Sequence, residues 1–381
     1  MYNFISTKNF LKVPICKPEF DEEAVQDVAN AVKSGWVSAG EQVIQFEEKL
    51  AEYFGVKHAI TINSGTAAID VALRALGLRN KEILTTATSC SPTAEGIVGS
   101  SNTPVMVDIS KEDYNIDTGK IEESITKNTG AILPVHLYGR PAEMDKILEI
   151  GKKHDIPVVE DCAQATGAKY KAKKVGSFAD IGCFSLNISK IITTGEGGFI
   201  TTDNDEIEKT AKIVRNYGRD PKNTDFLYEY YGYNFKYTNL HAALGLSQVK
   251  KIDSYIRSRR ENAAYLKKQL EGLPNLQLPT ERPHEFSVYF CFPMLLKKTG
   301  VRDNLKRFLE ERGIESRTLF RPMFKQPYYV EIFGENNIPC PNAEYVGNNG
   351  FYAGCCPGLT KEQLDYIADS IKEGLKLYAS G

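Results

Sequence analysis

The chain has 381 residues, and its 47 basic side chains nearly balance its 49 acidic ones, for a formal net charge of −2. That balance gives no electrostatic footprint for nucleic acid or an anionic membrane, and a share of 42% hydrophobic and 25% charged residues is ordinary for a globular protein. The length exceeds one simple core and points to two domains of about 100–200 residues each. No apolar run approaches the roughly 18 residues of a membrane span.

Met1–Phe10 holds one lysine and no long apolar stretch, which argues against a secretory leader. From Glu41 to Thr202 helices and strands alternate. Gln42–Phe54 places Val43, Ile44, Phe46, Leu50 and Phe54 at helical spacing, and Thr66–Leu76 reads as an Ala- and Leu-rich helix. Short apolar runs predict buried strands at His58–Ile62, Glu82–Thr86, Thr103–Val107, Gly130–His136, Ile156–Glu160, Ile181–Ser185 and Gly198–Thr202, with an amphipathic helix over Met144–His154. This alternation argues for an α/β fold with a mostly parallel sheet, helices on both faces, and a ligand beyond the carboxyl ends of the strands.

Beyond this region the pattern changes. Gln248–Leu273 reads as one long charged helix, followed by Phe286–Leu296, a helix over Arg302–Gly313, Thr318–Tyr329 and a last helix from Lys361. We expect a large α/β domain over residues 1–250, including an N-terminal arm, and a smaller α+β domain over 251–381. The eight cysteines are scattered and none forms a CxxC pair, so we expect no metal site but reduced, buried thiols in a cytoplasmic protein.

Three segments carry the chemistry. Asn63-Ser64-Gly65-Thr66 joins a strand to a helix and offers backbone N–H groups to an anion, although simple helix capping explains it as well. It does not match the triphosphate-binding loop, and no GxGxxG follows a strand. Glu160-Asp161 ends an apolar run and puts an acid at the edge of the sheet. Lys190 follows it by 29 residues, among Ile188, Ile191 and Ile192 and ahead of the turn Gly195-Glu196-Gly197-Gly198. Either residue alone would pass for a solvated charge. Together they supply what pyridoxal phosphate (PLP) needs: an amine to condense with its aldehyde and an acid to keep its ring nitrogen protonated. Apolar neighbours would favour the neutral, nucleophilic amine. The glycine-rich turn suits close backbone approach behind the lysine.

Other features point less sharply. The aromatic stretch from Tyr228 to Tyr237 suits a subunit interface or a substrate loop, Lys169–Lys174 a solvated hairpin, and His136 a packed strand end. Arg219, Arg317 and Arg321 could each bind a phosphate or carboxylate.

The segments Ser34–Gly40, Asn63–Ala68, Pro134–Gly139, Glu160–Gln164, Ser185–Gly198, Arg215–Arg219, Gly232–Asn234 and Thr238–Gly245 resemble, in order and spacing, the DegT/DnrJ/EryC1/StrS aminotransferases. The resemblance runs from about residue 13 to 377. It implies a fold-type I PLP enzyme with a seven-stranded-type central sheet, moving an amino group, with glutamate as the expected donor, to a keto group of a nucleotide-linked sugar in glycan or polysaccharide biosynthesis. The cofactor would alternate with its pyridoxamine form.

By the same resemblance, Lys190 would be the Schiff-base lysine and proton shuttle, and Asp161 the partner of the ring nitrogen. Gln164 would contact the cofactor's phenolic oxygen side, Gly65, Thr66 and Ser185 would hold the phosphate, and Asn234 would reach the cofactor of a partner subunit in a shared-site homodimer. Cys90 stands where most members stack an aromatic ring on the cofactor, and Phe324 where many carry a histidine. Trp36, Tyr138, Arg219, Arg321 and Phe324 are the substrate-binding candidates. The two departures keep a smaller acceptor open, a phosphorylated ketose or polyol ketone. A sugar dehydratase on this scaffold would have histidine in place of Lys190, and a non-catalytic relative would not need to keep lysine, aspartate and phosphate cup together.

Overall fold

The computed structural model describes residues 11–334 and 338–379; the Met1–Phe10 segment read above lies outside them. The first helices are α1 (Glu22–Lys33) and α2 (Glu41–Phe54). Strand β1 (His58–Ile62) leads into α3 (Gly65–Ala75), β2 (Glu82–Thr86) into α4 (Pro92–Gly99), and β3 (Thr103–Val107) is followed by β4 (Thr129–Leu133) and α5 (Met144–His154). After β5 (Val159–Asp161) comes a hairpin of β6 (Lys169–Tyr170) and β7 (Lys173–Lys174), and then β8 (Ile181–Ser185), β9 (Gly198–Thr202) and α6 (Asp205–Arg215).

Two ladders, β1-β9-β8-β5 and β3-β2-β4, meet through the parallel bridges Ile132↔Val158 and Val135↔Asp161. The result is one seven-stranded sheet in the order β3-β2-β4-β5-β8-β9-β1, in which only β9 runs against its neighbours. This is the mostly parallel sheet expected from the alternation. Because successive side chains point to opposite faces, each strand feeds two cores. Ile60, Ile83, Leu133, Val159, Cys183 and Ile200 pack with α3, α4 and α6, whereas Leu84, Ile132 and Val158 pack with α5, and Phe184 and Phe199 with α2.

The chain continues through α7 (Asn239–Val249) and α8 (Ile252–Leu270), so the single helix expected over Gln248–Leu273 is broken. The corner carries no glycine or proline to mark it; Lys250 and Lys251 instead pair with Glu23 and Asp21 at the start of α1. Beyond it, β10 (Leu276–Gln277), β11 (Glu285–Phe286), β12 (Phe292–Leu296), α9 (Arg302–Glu311), β13 (Ser316–Thr318), α10 (Pro327–Phe333), α11 (Pro341–Asn349), β14 (Gly350–Ala353) and α12 (Lys361–Ala379) follow. A second, antiparallel sheet runs β10-β12-β14-β13, with α8, α9 and α12 packed on one face. Val13 bridges Ile314, so the N-terminal arm also touches this sheet. Tyr352 on the other face joins the core of the large sheet, which seats the small sheet above that sheet's carboxyl end. Among the described residues no helix is long and apolar enough to cross a membrane.

Candidate active site

Asp161 is the last residue of β5 and 3% exposed. Its backbone is fixed from β4: Asp161 N–H donates to Pro134 O at 2.9 Å, and His136 N–H donates to Asp161 O at 3.0 Å. One carboxylate oxygen accepts from Ala163 N–H at 3.0 Å, the other from Thr93 Oγ1 at 2.8 Å. Burial raises the carboxyl's proton affinity, against the two hydrogen bonds and the charge of Lys190. Among the described residues no basic side chain lies within ion-pairing distance of it.

Lys190 lies on the connection between β8 and β9. Its N–H donates to Asn187 O at 2.9 Å, and Thr193 Oγ1 donates to Leu186 O at 3.0 Å, so the loop is tied down on both sides of the lysine. Nζ sits 5.2 Å from the centre of the Phe290 ring. Burial lowers the proton affinity of this amine, while Cys90 and Asp161 act in the opposite direction. Ile191 and Ile192 are buried beside it, but Ile188 is at the surface. The glycine-rich turn is a close backbone approach: a Cβ at Gly198 would fall 2.6 Å from the carbonyl of Ser64.

That contact brings the head of α3 to the lysine loop. Ser64 caps the helix by accepting from Ala67 N–H at 3.1 Å, and the N–H groups of Gly65 and Thr66 precede the first intrahelical bonds. They form the positive end of the helix. Ser185, at the end of β8, closes this corner so tightly that a Cβ at Gly65 would lie 2.8 Å from Ser185 Cβ. Gln164 is buried, its Oε1 accepting from Tyr138 N–H at 2.9 Å. Cys90 is exposed at the end of the β2 extension, within electrostatic reach of Lys190 and Asp161. Lys190, Asp161, Cys90, Gly65, Thr66, Ser185 and Gln164 therefore gather at the carboxyl ends of β1, β2, β5 and β8.

The substrate candidates lie at several places around this cluster, with Tyr138 joined to it through Gln164 and Arg321 next to Pro322, which bridges Thr88. Tyr138 is 2% exposed, its hydroxyl accepts from Phe320 N–H at 3.0 Å and its ring stacks on Phe320. It is a core residue joining the two sheets, and its hydroxyl is already engaged. Phe324 is buried in the same core, so it presents little surface to a ligand. Trp36 is 64% exposed on the loop before α2, its indole N–H donating to Ala39 O at 2.9 Å. Arg219 is held by Asn223 O at 3.1 Å and lies over Phe226. Asn234 is exposed, with its backbone oxygen 3.3 Å from Asn63 Nδ2. Arg321 is exposed on the connection after β13.

Arg317 is placed differently. On β13 it pairs with Tyr352, and directly opposed residues of antiparallel strands point to the same face. That face is turned to the large sheet, since the Tyr352 ring lies 6.4 Å from that of Tyr138. Sequence reasoning missed Thr93 and Phe290 altogether, and met Ser89 only as the neighbour of Cys90. The only available signal for Thr93 was Pro92 opening a helix, in a segment too rich in glycine to show helical periodicity.

The residues present fit pyridoxal phosphate. A buried carboxylate with no cation of its own suits a protonated ring nitrogen, a desolvated amine suits an aldehyde, and a tightly closed helix N-terminus suits a phosphate. Comparison with known proteins agrees. The model of the DegT/DnrJ/EryC1/StrS aminotransferase family matches residues 18–372. The GDP-perosamine synthase of Caulobacter vibrioides is 34% identical over 372 residues, covering 96% of this chain and 98% of the relative. The structure of Helicobacter pylori PseC, described as an aminotransferase involved in the biosynthesis of pseudoaminic acid, superposes with a TM-score of 0.91 at 29% identity, over 97% of this chain and all of that one. A dTDP-4-dehydro-2,6-dideoxy-D-glucose 3-dehydratase of Saccharopolyspora spinosa is 32% identical, covering 88% of this chain and 81% of the relative.

Proposed function

The chain belongs to the DegT/DnrJ/EryC1/StrS aminotransferase family, and from that premise we propose that it aminates a nucleotide-linked keto-sugar at the site around Lys190. A donor amino acid, with glutamate our choice, gives up its amino group and leaves as a keto acid; the acceptor's carbonyl becomes an amine. The observation that carries this reading is the coupling of a half-buried Lys190 to a buried Asp161 beside a helix N-terminus, neither of them ion-paired among the described residues.

When bound, pyridoxal phosphate supplies an electron sink and a carrier for the amino group. The chain's own residues do the rest. Gly65, Thr66 and Ser185 would hold the phosphate, and the Asp161 carboxylate would keep the ring nitrogen protonated. Gln164, oriented by its bond to Tyr138 N–H, lies on the phenolic oxygen side. Lys190 Nζ would be the amine that holds the cofactor, and its free form would be the general acid–base that moves the proton at the substrate carbon. Retention of this lysine supports amino transfer over dehydration. Arg317, on the face of the small sheet turned to the site, is the arginine best placed to meet an anionic group of a substrate.

The same proposal includes a homodimer with shared sites, reached by the exposed Asn234 that follows the exposed aromatic segment Phe226–Tyr233. It also includes a division into units near residue 250 and a cytoplasmic location consistent with eight free cysteines. The test is the purified holoenzyme's visible absorption. It should be reducible with borohydride in the native protein, bleached by glutamate, and lost in Lys190→Ala; a reducible band unchanged in that variant would overturn the assignment.

A further inference from the structure

Asp161 stands at the end of a chain of buried hydroxyls. Thr93 Oγ1 lies 2.8 Å from Asp161 Oδ2, and Ser89 Oγ lies 2.8 Å from Thr93 Oγ1. The two links are enclosed: Ser89 is 4%, Thr93 3% and Asp161 3% exposed. A hydroxyl has one proton to give. An ionised carboxylate only accepts, so the proton of Thr93 goes to Asp161 and Thr93 must in turn accept from Ser89. The direction of the relay is therefore fixed as Ser89 to Thr93 to Asp161.

The relay is also held rigidly. Thr93 lies in the first turn of α4, where its N–H donates to Cys90 O at 3.1 Å and the helix end adds partial positive charge. Gly96, one turn on, packs so closely that a Cβ there would fall 2.8 Å from Ile69 Cβ and 2.9 Å from Thr66 O. Thus α4 packs directly against the first turn of α3, the proposed phosphate site.

We propose that Thr93, backed by Ser89, is the positioning residue that keeps Asp161 ionised and so keeps the shared proton on the cofactor's ring nitrogen. This rests on the reading that pyridoxal phosphate occupies the Lys190 site. The physical reason is a competition for one proton. Burial alone would make Asp161 a stronger base, and a stronger base would draw the proton off the ring and weaken the electron sink. The Thr93 hydroxyl aimed at Oδ2 opposes that, adding to the Ala163 N–H on Oδ1 and to the nearby charge of Lys190 and the His136 ring.

The experiment uses holoenzyme variants with two readouts: pH titration of the visible band and the rate of the single-turnover half-reaction with glutamate. Thr93→Val keeps the branched shape and removes the donor. A less positive ring makes the nitrogen contributed by Lys190 more basic, so the titration should move up by about one pH unit, with the half-reaction slowed about tenfold. Thr93→Ser, which restores the hydroxyl, should titrate like the native protein, and Ser89→Ala should shift the same way by less. If Thr93→Val titrates where the native enzyme does, or Thr93→Ser is as impaired as Thr93→Val, the proposal is overturned and the site serves only packing. Failure of the underlying reading would look different: native protein without a borohydride-reducible band.

Discussion

The last two residues of β5 are both buried acids, and they sit on opposite faces of the sheet with opposite fates. Glu160 is fully enclosed and saturated. Its oxygens accept from Gly176 N–H at 2.8 Å, Phe178 N–H at 2.9 Å and Ala179 N–H at 3.1 Å, and lie 3.1 Å from His136 Nε2. His136 Nδ1 accepts from Ala142 N–H at 2.9 Å, so Nε2 carries the ring proton and donates it to Glu160. Asp161, its neighbour, has two donors and no cation among the described residues. The saturated acid fastens a loop; the under-neutralised one faces Lys190. Buried charge by itself therefore does not mark a functional site. What distinguishes the two is whether the chain's own groups complete the charge.

Exchanging charge for a neutral isostere on each face should separate the two roles. Asp161→Asn removes the acid that holds the ring proton, and we expect the glutamate half-reaction to slow by about a thousandfold, or about 4 kcal/mol. In the cofactor-free protein its thermal midpoint should stay level or rise, because there an unpaired buried charge is lost. A large fall in the midpoint would show that Asp161 is structural like its neighbour. Glu160→Gln reverses the pattern. Its amide NH2 would face donors that expect an oxygen, and the cost should be about 3 kcal/mol of stability by chemical denaturation. Activity per folded molecule should change little; a selective loss of turnover in a stable protein would move Glu160 to the functional side of the comparison.

The same contrast explains what could be read from the amino-acid sequence. Both acids were visible as the end of an apolar run, and Lys190 as a lysine among isoleucines before a glycine-rich turn, because these are local patterns. The mostly parallel character of the sheet followed from the alternation, and its seven-stranded form from the family resemblance. The partners that tell Glu160 from Asp161 come from far away: Thr93 is 68 residues before Asp161, and Phe178 and Ala179 lie beyond a hairpin. No local pattern encodes those distances. The break between α7 and α8 was hidden for a related reason, since a charged corner held by Asp21 and Glu23 reads as continuous helix.

Tyr138 tests the same distinction on a smaller scale, between a polar group that the fold completes and one left for a ligand. As a residue in a functional motif it invited a substrate role, yet its hydroxyl accepts from Phe320 N–H and its ring is stacked between the two sheets. The left-handed backbone at φ 56 turns the chain so that the ring enters the core rather than the cleft. Tyr138→Phe keeps the stacking and leaves one buried N–H without its acceptor, so the expected cost is about 1–2 kcal/mol of stability, read from denaturant midpoints. The Michaelis constants for donor and acceptor should stay within about twofold, since a group touching neither substrate cannot contribute to binding either. An unchanged midpoint with a raised acceptor constant would return Tyr138 to the substrate and place the cleft deeper between the sheets than the packing of Phe320 allows.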